Sequence, residues 1–242
     1  KDITMDHVHL APMGLSWGYT LLLITGWSAH PLPYLAFADF TANVFQRASI
    51  RNKTKVGLAA WGAVAGWLER PHTGQRLPVL RAVGLLFPPS NSSLEVVEAA
   101  RNSRLELRAF LGTYPARRAG IEARRLKVQA WWRELPSYRF LLSPMGSGIQ
   151  TAKNLEALLV LTVPVVQRMG FTAHAELTQL GFPLVIVERW EEVTPANTTR
   201  WWRALAPRLE GFRRNCLTAD GFWGMYTGRI GFCQYLVTHP CC

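Results

Sequence analysis

The chain has 242 residues, of which 49% are hydrophobic, so it can bury a large core as one domain or as two smaller ones. This composition excludes an intrinsically disordered chain. The formal net charge of +11 comes mostly from arginine, which suits anionic partners such as nucleotide phosphates, nucleic acid or acidic glycans. No run of five or more basic residues marks a nucleic-acid-binding tail, so arginines spread over a solvated surface are an equally good interpretation.

In the first half of the chain, short apolar runs alternate with helical patterns. Residues 19–25 and 77–87 are typical of strands, and residues 35–48 are typical of a helix. The segment PPSNSS at 88–93 predicts a linker, because prolines followed by small polar residues break both periodicities. The sequence therefore predicts a division of the chain into 1–93 and 94–242.

A second series of strands and helices follows the linker. The predicted elements are a helix at 94–104, a strand at 105–111, a turn at 112–118, a basic helix at 119–132, a strand at 138–142, a helix at 151–160, and buried strands at 163–166 and 183–187. Strands that alternate with helices predict an α/β fold with a parallel sheet. The tripeptide WWR occurs at 131–133 and 201–203, and we interpret both copies as aromatic anchors near helix ends, since their flanking sequences do not repeat.

The cysteines and glycosylation sequons favour the secretory pathway, in the lumen of the Golgi or the endoplasmic reticulum. All four cysteines lie in the last 27 residues without a C-x-x-C spacing, which favours disulfides over a zinc site: Cys216, Cys233, Cys241 and Cys242. Three N-x-[ST] sequons begin at Asn52, Asn91 and Asn197. The longest apolar stretches are too short to span a bilayer, so we expect any membrane anchor to lie upstream of a mature domain or fragment.

The stretch SPMGSGIQTAKNLEALL at 143–159 places a glycine turn between an apolar strand and an amphipathic helix. Glycines let the backbone approach a ligand, and the free amides at a helix N-terminus favour phosphate oxygens. The alternative is a tight corner in which Gly146 and Gly148 only supply the backbone angles of a turn. The third glycine of the dinucleotide-binding fingerprint is absent, with Thr151 in its place, so the spacing alone leaves both interpretations open.

Residues 137–205 resemble the C-terminal part of exostosin-like glycosyltransferases and related transferases of algae and protists. Two blocks carry the resemblance, YRFLLSPMGSGIQTAKNLEALLVLTVPVV and LGFPLVIVERWEEVTPANTTRWW. The second block matches the family pattern at nearly every position: Pro183, Val185, Ile186, Val187, Trp190, Glu192, Val193, Thr194, Pro195, Trp201 and Trp202. The resemblance implies two Rossmann-like halves in a GT-B-type arrangement, with a reduced acceptor-side half at 1–93 and a nucleotide-sugar-binding half at 94–242.

Carried over residue by residue, the resemblance implies a donor-binding loop and two helix residues. The loop is Ser143, Gly146, Ser147 and Gly148. Lys153 stands where the family usually has arginine, and Glu156 stands where it has the acidic residue that binds the ribose hydroxyls of the donor. Because the two are three residues apart, they share one face of the helix, where the cation can neutralise the diphosphate and the carboxylate can accept hydroxyl protons. The alternative is an ordinary surface pair worth about 0.2–0.5 kcal/mol.

Several positions depart from the family pattern. Gln150 and Ala152 stand where acidic and histidine residues are common, and Trp27 and Ala29 stand where the family often carries acids. The catalytic base is therefore unassigned, and the remaining candidates are His7, His9, His30 and Asp39. A D-x-D motif is absent, so we predict no essential metal and no cofactor other than the nucleotide-diphosphate donor itself.

Three functions follow from these observations. The first is a glycosyltransferase that moves a sugar from a nucleotide diphosphate to a hydroxyl of a glycan or glycoprotein. The second is a degenerate relative that binds nucleotide or glycan without turnover, which the departures favour. The third is a basic module that binds polyanions and uses its ten tryptophans for stacking, which is disfavoured because those tryptophans lie in apolar or motif positions. Nucleic acid is accordingly not expected as a partner.

Overall fold

The computed structural model describes residues 43–61, 91–145 and 152–218, together with the single positions 221, 224 and 229. Within these residues the fold is α/β, as the sequence predicts. The described strands form one five-stranded sheet in the order β2-β1-β3-β4-β5, and all of its neighbouring pairs are parallel. The strands are β1 (Lys55–Ala59), β2 (Ile121–Ala123), β3 (Tyr138–Leu142), β4 (Val163–Gln167) and β5 (Val185–Val187).

Helices connect successive strands of this sheet, and one long helix follows β5. They are α1 (Asn91–Leu111), α2 (Tyr114–Arg118), α3 (Val128–Glu134), α4 (Ala152–Leu159), α5 (Ala173–Gln179) and α6 (Pro195–Cys216), and the segment 43–47 is also helical. Two of them begin with the expected capping residues. The Thr113 side chain accepts a hydrogen bond from the backbone of Ala116 at the start of α2, and Thr194 accepts one from Asn197 at the start of α6.

The prediction of a strand at 105–111 is wrong, because α1 continues through the whole segment. The apolar residues in LELRAFL are typical of a strand, but the buried ones are Leu107 and Phe110, which are three residues apart and share one helical face. Leu105, by contrast, is exposed. Because this helical stripe packs against the sheet, tertiary packing outweighs the local preference for a strand.

The prediction of one helix at 119–132 is also wrong. Gly120 adopts a φ of 71°, in the left-handed region that ends helices, and strand β2 begins directly after it. Helix α3 then starts only at Val128. The preceding segment, 112–118, was predicted to be a turn and contains the short helix α2.

Some predictions fall outside the described residues. These are the strands at 19–25 and 77–87 and the first part of the helix at 35–48. The division of the chain at 93/94 stays a prediction. Strand β1, which precedes that division, hydrogen-bonds with β2 and β3, which follow it.

Two clusters of buried apolar side chains lie on opposite faces of the sheet. Phe140 and Leu142 belong to the first cluster and Leu141 to the second, as expected when alternate residues of a strand point to opposite faces. Helices α1 and α6 cover the first face, and α3 covers the second. On the first face, Trp201 and Trp202 of α6 pack edge-on against Phe140, with ring centroids 6.3 and 5.9 Å apart. Within the described residues, no helix combines the length and apolar character needed to cross a membrane.

Gly57 lies at the centre of β1, where a side chain would press against the terminal methyl group of Ile121. A Cβ atom at this position would approach Ile121 Cδ1 to 2.5 Å and Leu142 Cδ1 to 3.4 Å. We expect Gly57→Ala to lower the free energy of unfolding by about 1 kcal/mol, the low end for overpacking a core, because the Ile121 methyl group can move aside only in part. Chemical denaturation measures the loss.

Ile121→Val removes the Cδ1 atom and supplies the matched control. The double variant should be more stable than the sum of the two single losses predicts, because the clash is relieved. Strict additivity of the two substitutions would contradict this contact.

Candidate ligand site at the carboxyl edge of the sheet

The strand order of the described sheet indicates where a ligand would bind. From β1 the chain crosses to β2 on one side, and from β3 onwards it proceeds to β4 and β5 on the other side. The order therefore reverses between β1 and β3. In open parallel sheets of this type, ligands bind beyond the carboxyl ends of the strands at such a reversal point.

Lys153 reaches this reversal point from the first turn of α4. Its Nζ donates a hydrogen bond of 2.9 Å to the carbonyl oxygen of Ala60, the residue that directly follows β1. The same Nζ lies 4.5 Å from the centre of the Trp131 ring, at cation–π distance. Burial lowers the pKa of Lys153 to about 8, Glu156 opposes this shift, and Arg104 adds to it. A protonated Lys153 therefore places a partly desolvated cation beside the end of β1.

Glu156 lies one turn further along α4 and contacts the same tryptophan. Its Oε2 accepts a hydrogen bond of 3.0 Å from Nε1 of Trp131. Burial raises the pKa of Glu156, while Lys153 and the bond from Trp131 act in the opposite direction. Trp131 of α3 thus joins the two predicted site residues, Lys153 with its ring face and Glu156 with its N–H group.

Hydrogen bonds to β4 and to α1 fix the residues that directly follow β3. The backbone N–H of Ser143 donates to Val165 at 2.9 Å, which extends the pairing with β4 by one residue. Arg104 of α1 is buried, and its Nε donates to the carbonyl oxygen of Met145 at 2.9 Å. The other three predicted loop residues, Gly146, Ser147 and Gly148, lie outside the described part of the chain. Arg104 therefore fixes Met145, the last described residue before them.

Only part of this arrangement could be predicted from the sequence. The spacing of Lys153 and Glu156 shows that they share a helical face. Nothing local links that pair to Trp131, Ala60 or Arg104, which come from α3, the end of β1 and α1. Arg104 is the last residue of the predicted helix at 94–104. Because a strand was predicted to follow it, the sequence does not show that Arg104 lies within a continuous helix.

The remaining predicted functional residues lie outside the described residues. They are the candidate bases His7, His9, His30 and Asp39. Among the side chains that the structure describes, no group of three or more histidine, cysteine, aspartate or glutamate residues is arranged to hold a metal ion.

The second motif block builds the connection from β5 to α6. The Oε1 of Glu192 accepts hydrogen bonds from the backbone of Glu188 and Arg189, at 2.8 and 2.9 Å. Thr194 then caps α6, and Pro195 is its first residue. These positions stabilise a turn and a helix start, so the structure assigns local stabilising roles to them.

The chain was compared with known families and proteins. A scan against models of protein families finds no match, and no curated protein matches the chain. The similarity of residues 137–205 to exostosin-like glycosyltransferases therefore stays a prediction.

Proposed function

We propose that the protein is a nucleotide-sugar-dependent glycosyltransferase of exostosin-like type that binds its donor at the carboxyl edge of the sheet. The observation that carries the proposal is the position of Lys153, whose Nζ lies 2.9 Å from the Ala60 carbonyl oxygen at the strand reversal point. In this proposal residues 94–242 together with β1 bind the donor, and the rest of residues 1–93 contributes the acceptor side of a GT-B-type cleft.

Lys153 is suited to neutralise the diphosphate of the donor. An ammonium group has three N–H donors, and among the described residues only Ala60 takes one of them, which leaves two for phosphate oxygens. An anionic ligand favours the charged form, so its binding is expected to raise the pKa of Lys153 from about 8. Glu156 would accept hydrogen bonds from the ribose hydroxyls through the oxygen that Trp131 does not occupy.

In the transfer step an acceptor hydroxyl oxygen forms a bond to the anomeric carbon of the sugar. The bond from that carbon to the phosphate oxygen breaks, and the nucleotide diphosphate leaves with the bonding electrons. The hydroxyl proton passes to a base that none of the described residues identifies. Lys153 stabilises the negative charge that develops on the leaving diphosphate.

A non-catalytic nucleotide-binding protein is the second candidate. The observation that favours it is that both charged groups already bind within the protein, Lys153 to Ala60 and Glu156 to Trp131. Both groups are already held in place, as expected of a site that binds a ligand without the rearrangements that turnover requires. A transfer assay with labelled nucleotide sugars separates the two candidates, since only the first releases free nucleotide diphosphate.

Loss of the Lys153 charge should weaken nucleotide binding. We expect Lys153→Met to raise the dissociation constant for UDP or GDP about tenfold to a hundredfold, as removal of a charged hydrogen-bond donor usually does. Isothermal titration calorimetry measures the change.

Lys127→Met is the matched control, because it removes the same charge from an exposed lysine that makes no side-chain cap contact. Equal affinity of wild type and Lys153→Met, or no binding of either nucleotide to wild type, would exclude the proposed donor site. Tight binding of single-stranded DNA in place of nucleotides, with affinity that falls steeply with salt, would indicate the polyanion-binding module instead.

A further inference from the structure

Helix α6 ends in a cysteine whose oxidation indicates the kind of compartment in which the chain folds. Cys216, the last residue of α6, is fully buried and disulfide-bonded. Structural disulfides form in oxidising environments, which are also those where asparagine-linked glycans are added. Two of the three sequons, at Asn52 and Asn197, have described side chains, so their fitness as acceptors can be compared.

Asn52 is exposed at the end of a short turn that precedes β1. Its side-chain amide makes no hydrogen bond with any residue that the structure describes, and the hydroxyl-bearing Thr54 of the same sequon is also exposed. The backbone N–H of Thr54 donates to Asn52 at 3.0 Å, which closes a tight turn around the sequon. A cavity of about 420 Å³ opens beside Asn52 between Arg47 and Arg133, so a sugar has space there without displacing packed side chains.

Asn197 has the opposite surroundings. It lies in the first turn of α6 and is partly buried. Its Nδ2 donates a hydrogen bond of 2.8 Å to the carbonyl oxygen of Glu192, and its backbone N–H donates to the capping Thr194. The Thr199 hydroxyl of this sequon donates to Pro195 at 2.8 Å. A glycan on Asn197 would have to break the contacts that start the helix.

We propose that Asn52 is a site of asparagine-linked glycosylation and that Asn197 is not. Nδ2 of Asn52 forms a bond to the anomeric carbon of an oligosaccharide carried on a polyprenyl diphosphate. The bond from that carbon to the phosphate oxygen breaks, the diphosphate leaves with the electron pair, and the amide loses one proton. The modified residue precedes β1, so the glycan projects from the amino edge of the sheet, opposite Lys153. The proposal is independent of the proposed glycosyltransferase activity.

The test is a site-by-site measurement of glycan occupancy. The chain is secreted from eukaryotic cells behind a cleavable signal peptide, in an Asn91→Gln background that leaves only the two described sequons. Release of the glycans by an amidase in heavy-oxygen water labels each occupied asparagine for mass spectrometry. We expect label at Asn52 and none at Asn197.

Substitutions at the third position of each sequon keep both asparagines in place. Thr54→Ala should abolish the label, and Thr54→Ser should retain it, because serine preserves the sequon. Thr54 is exposed and has no described side-chain partner, so neither change should disturb the fold. Thr199→Ala is the matched control and should leave the label unchanged. Label on Asn197, or an unmodified Asn52 in secreted protein with Cys216 oxidised, would overturn the proposal.

Discussion

Replacement of Trp190 by alanine is expected to lower the free energy of unfolding by about 3–5 kcal/mol, the usual loss for a large buried aromatic residue. Trp190 is 1% exposed and belongs to the main core cluster. Its Nε1 also donates a hydrogen bond of 3.2 Å to the carbonyl oxygen of Ser103 in α1. One side chain thus fastens the connection between β5 and α6 to the long helix α1. Since whole domains are stable by only about 5–15 kcal/mol, the loss would be a large fraction of the total.

Urea denaturation of the oxidised protein measures this loss. Trp190→Phe is the matched control, because it keeps a buried ring and removes the N–H donor. We expect it to cost about 1–2 kcal/mol, from the lost hydrogen bond and a small residual cavity. A loss below about 1.5 kcal/mol in Trp190→Ala would show that the site collapses to fill the space, contrary to the close packing described here.

The second large effect concerns Lys53, a buried lysine at the amino edge of the sheet. Only 4% of the residue is exposed. Its Nζ donates hydrogen bonds of 2.7 Å to the carbonyl oxygen of Val160 and to Oγ1 of Thr162. A neutral amine has two N–H donors, and these two acceptors use both of them. Burial, followed by repulsion from Arg213, lowers the pKa of Lys53 to about 6.

Stability is therefore expected to rise with pH. Between the folded pKa of about 6 and the ordinary value of 10.5, Lys53 is neutral in the folded protein and charged in the unfolded chain. The unfolded state then binds more protons, so its free energy relative to the folded state increases with pH. The slope is about 1.4 kcal/mol per pH unit. Between pH 6.5 and 8 this amounts to about 2 kcal/mol, and Lys153 adds a similar slope only above its pKa of about 8.

Denaturation of wild type, Lys53→Met and Lys127→Met across this pH range isolates the effect. The difference in slope between wild type and Lys53→Met belongs to Lys53, because the other titrating groups are common to both proteins. Lys127→Met changes an exposed lysine and should keep the wild-type slope. Parallel pH profiles for wild type and Lys53→Met would show that Lys53 stays charged in the folded protein.

Strands β3, β4 and β5 could be predicted because each lies in a short apolar run, whereas β2, which contains Glu122, lies in the segment that the sequence predicts to be helical. The run at 138–142 coincides with β3, and those at 163–166 and 183–187 contain most of β4 and all of β5. Such runs are too short for helices, so one local signal suffices. The strand prediction at 105–111 is wrong because the structure of this segment depends on which side chains contact the sheet, and this is a tertiary property.

The candidate site shows the same limit. The pair Lys153 and Glu156 could be placed on one helix face from their spacing alone. Their common partner Trp131 could not be found, because it lies on another helix that packs there only after the sheet has formed. The same holds for Lys53, since nothing around it in the sequence indicates that Val160 and Thr162 lie over its amine.

The position of β1 inside the described sheet, between two strands that follow it in the chain, has a consequence for biosynthesis. Its two neighbours are β2 and β3, and Lys55 pairs with Tyr138, 83 residues later in the chain. At ribosomal speeds of roughly 5–20 residues per second, the nascent β1 waits on the order of ten seconds for its partners. During that interval its apolar residues, buried in the finished protein, are open to aggregation or to chaperones. This interior strand is thus synthesised before both of the strands that flank it.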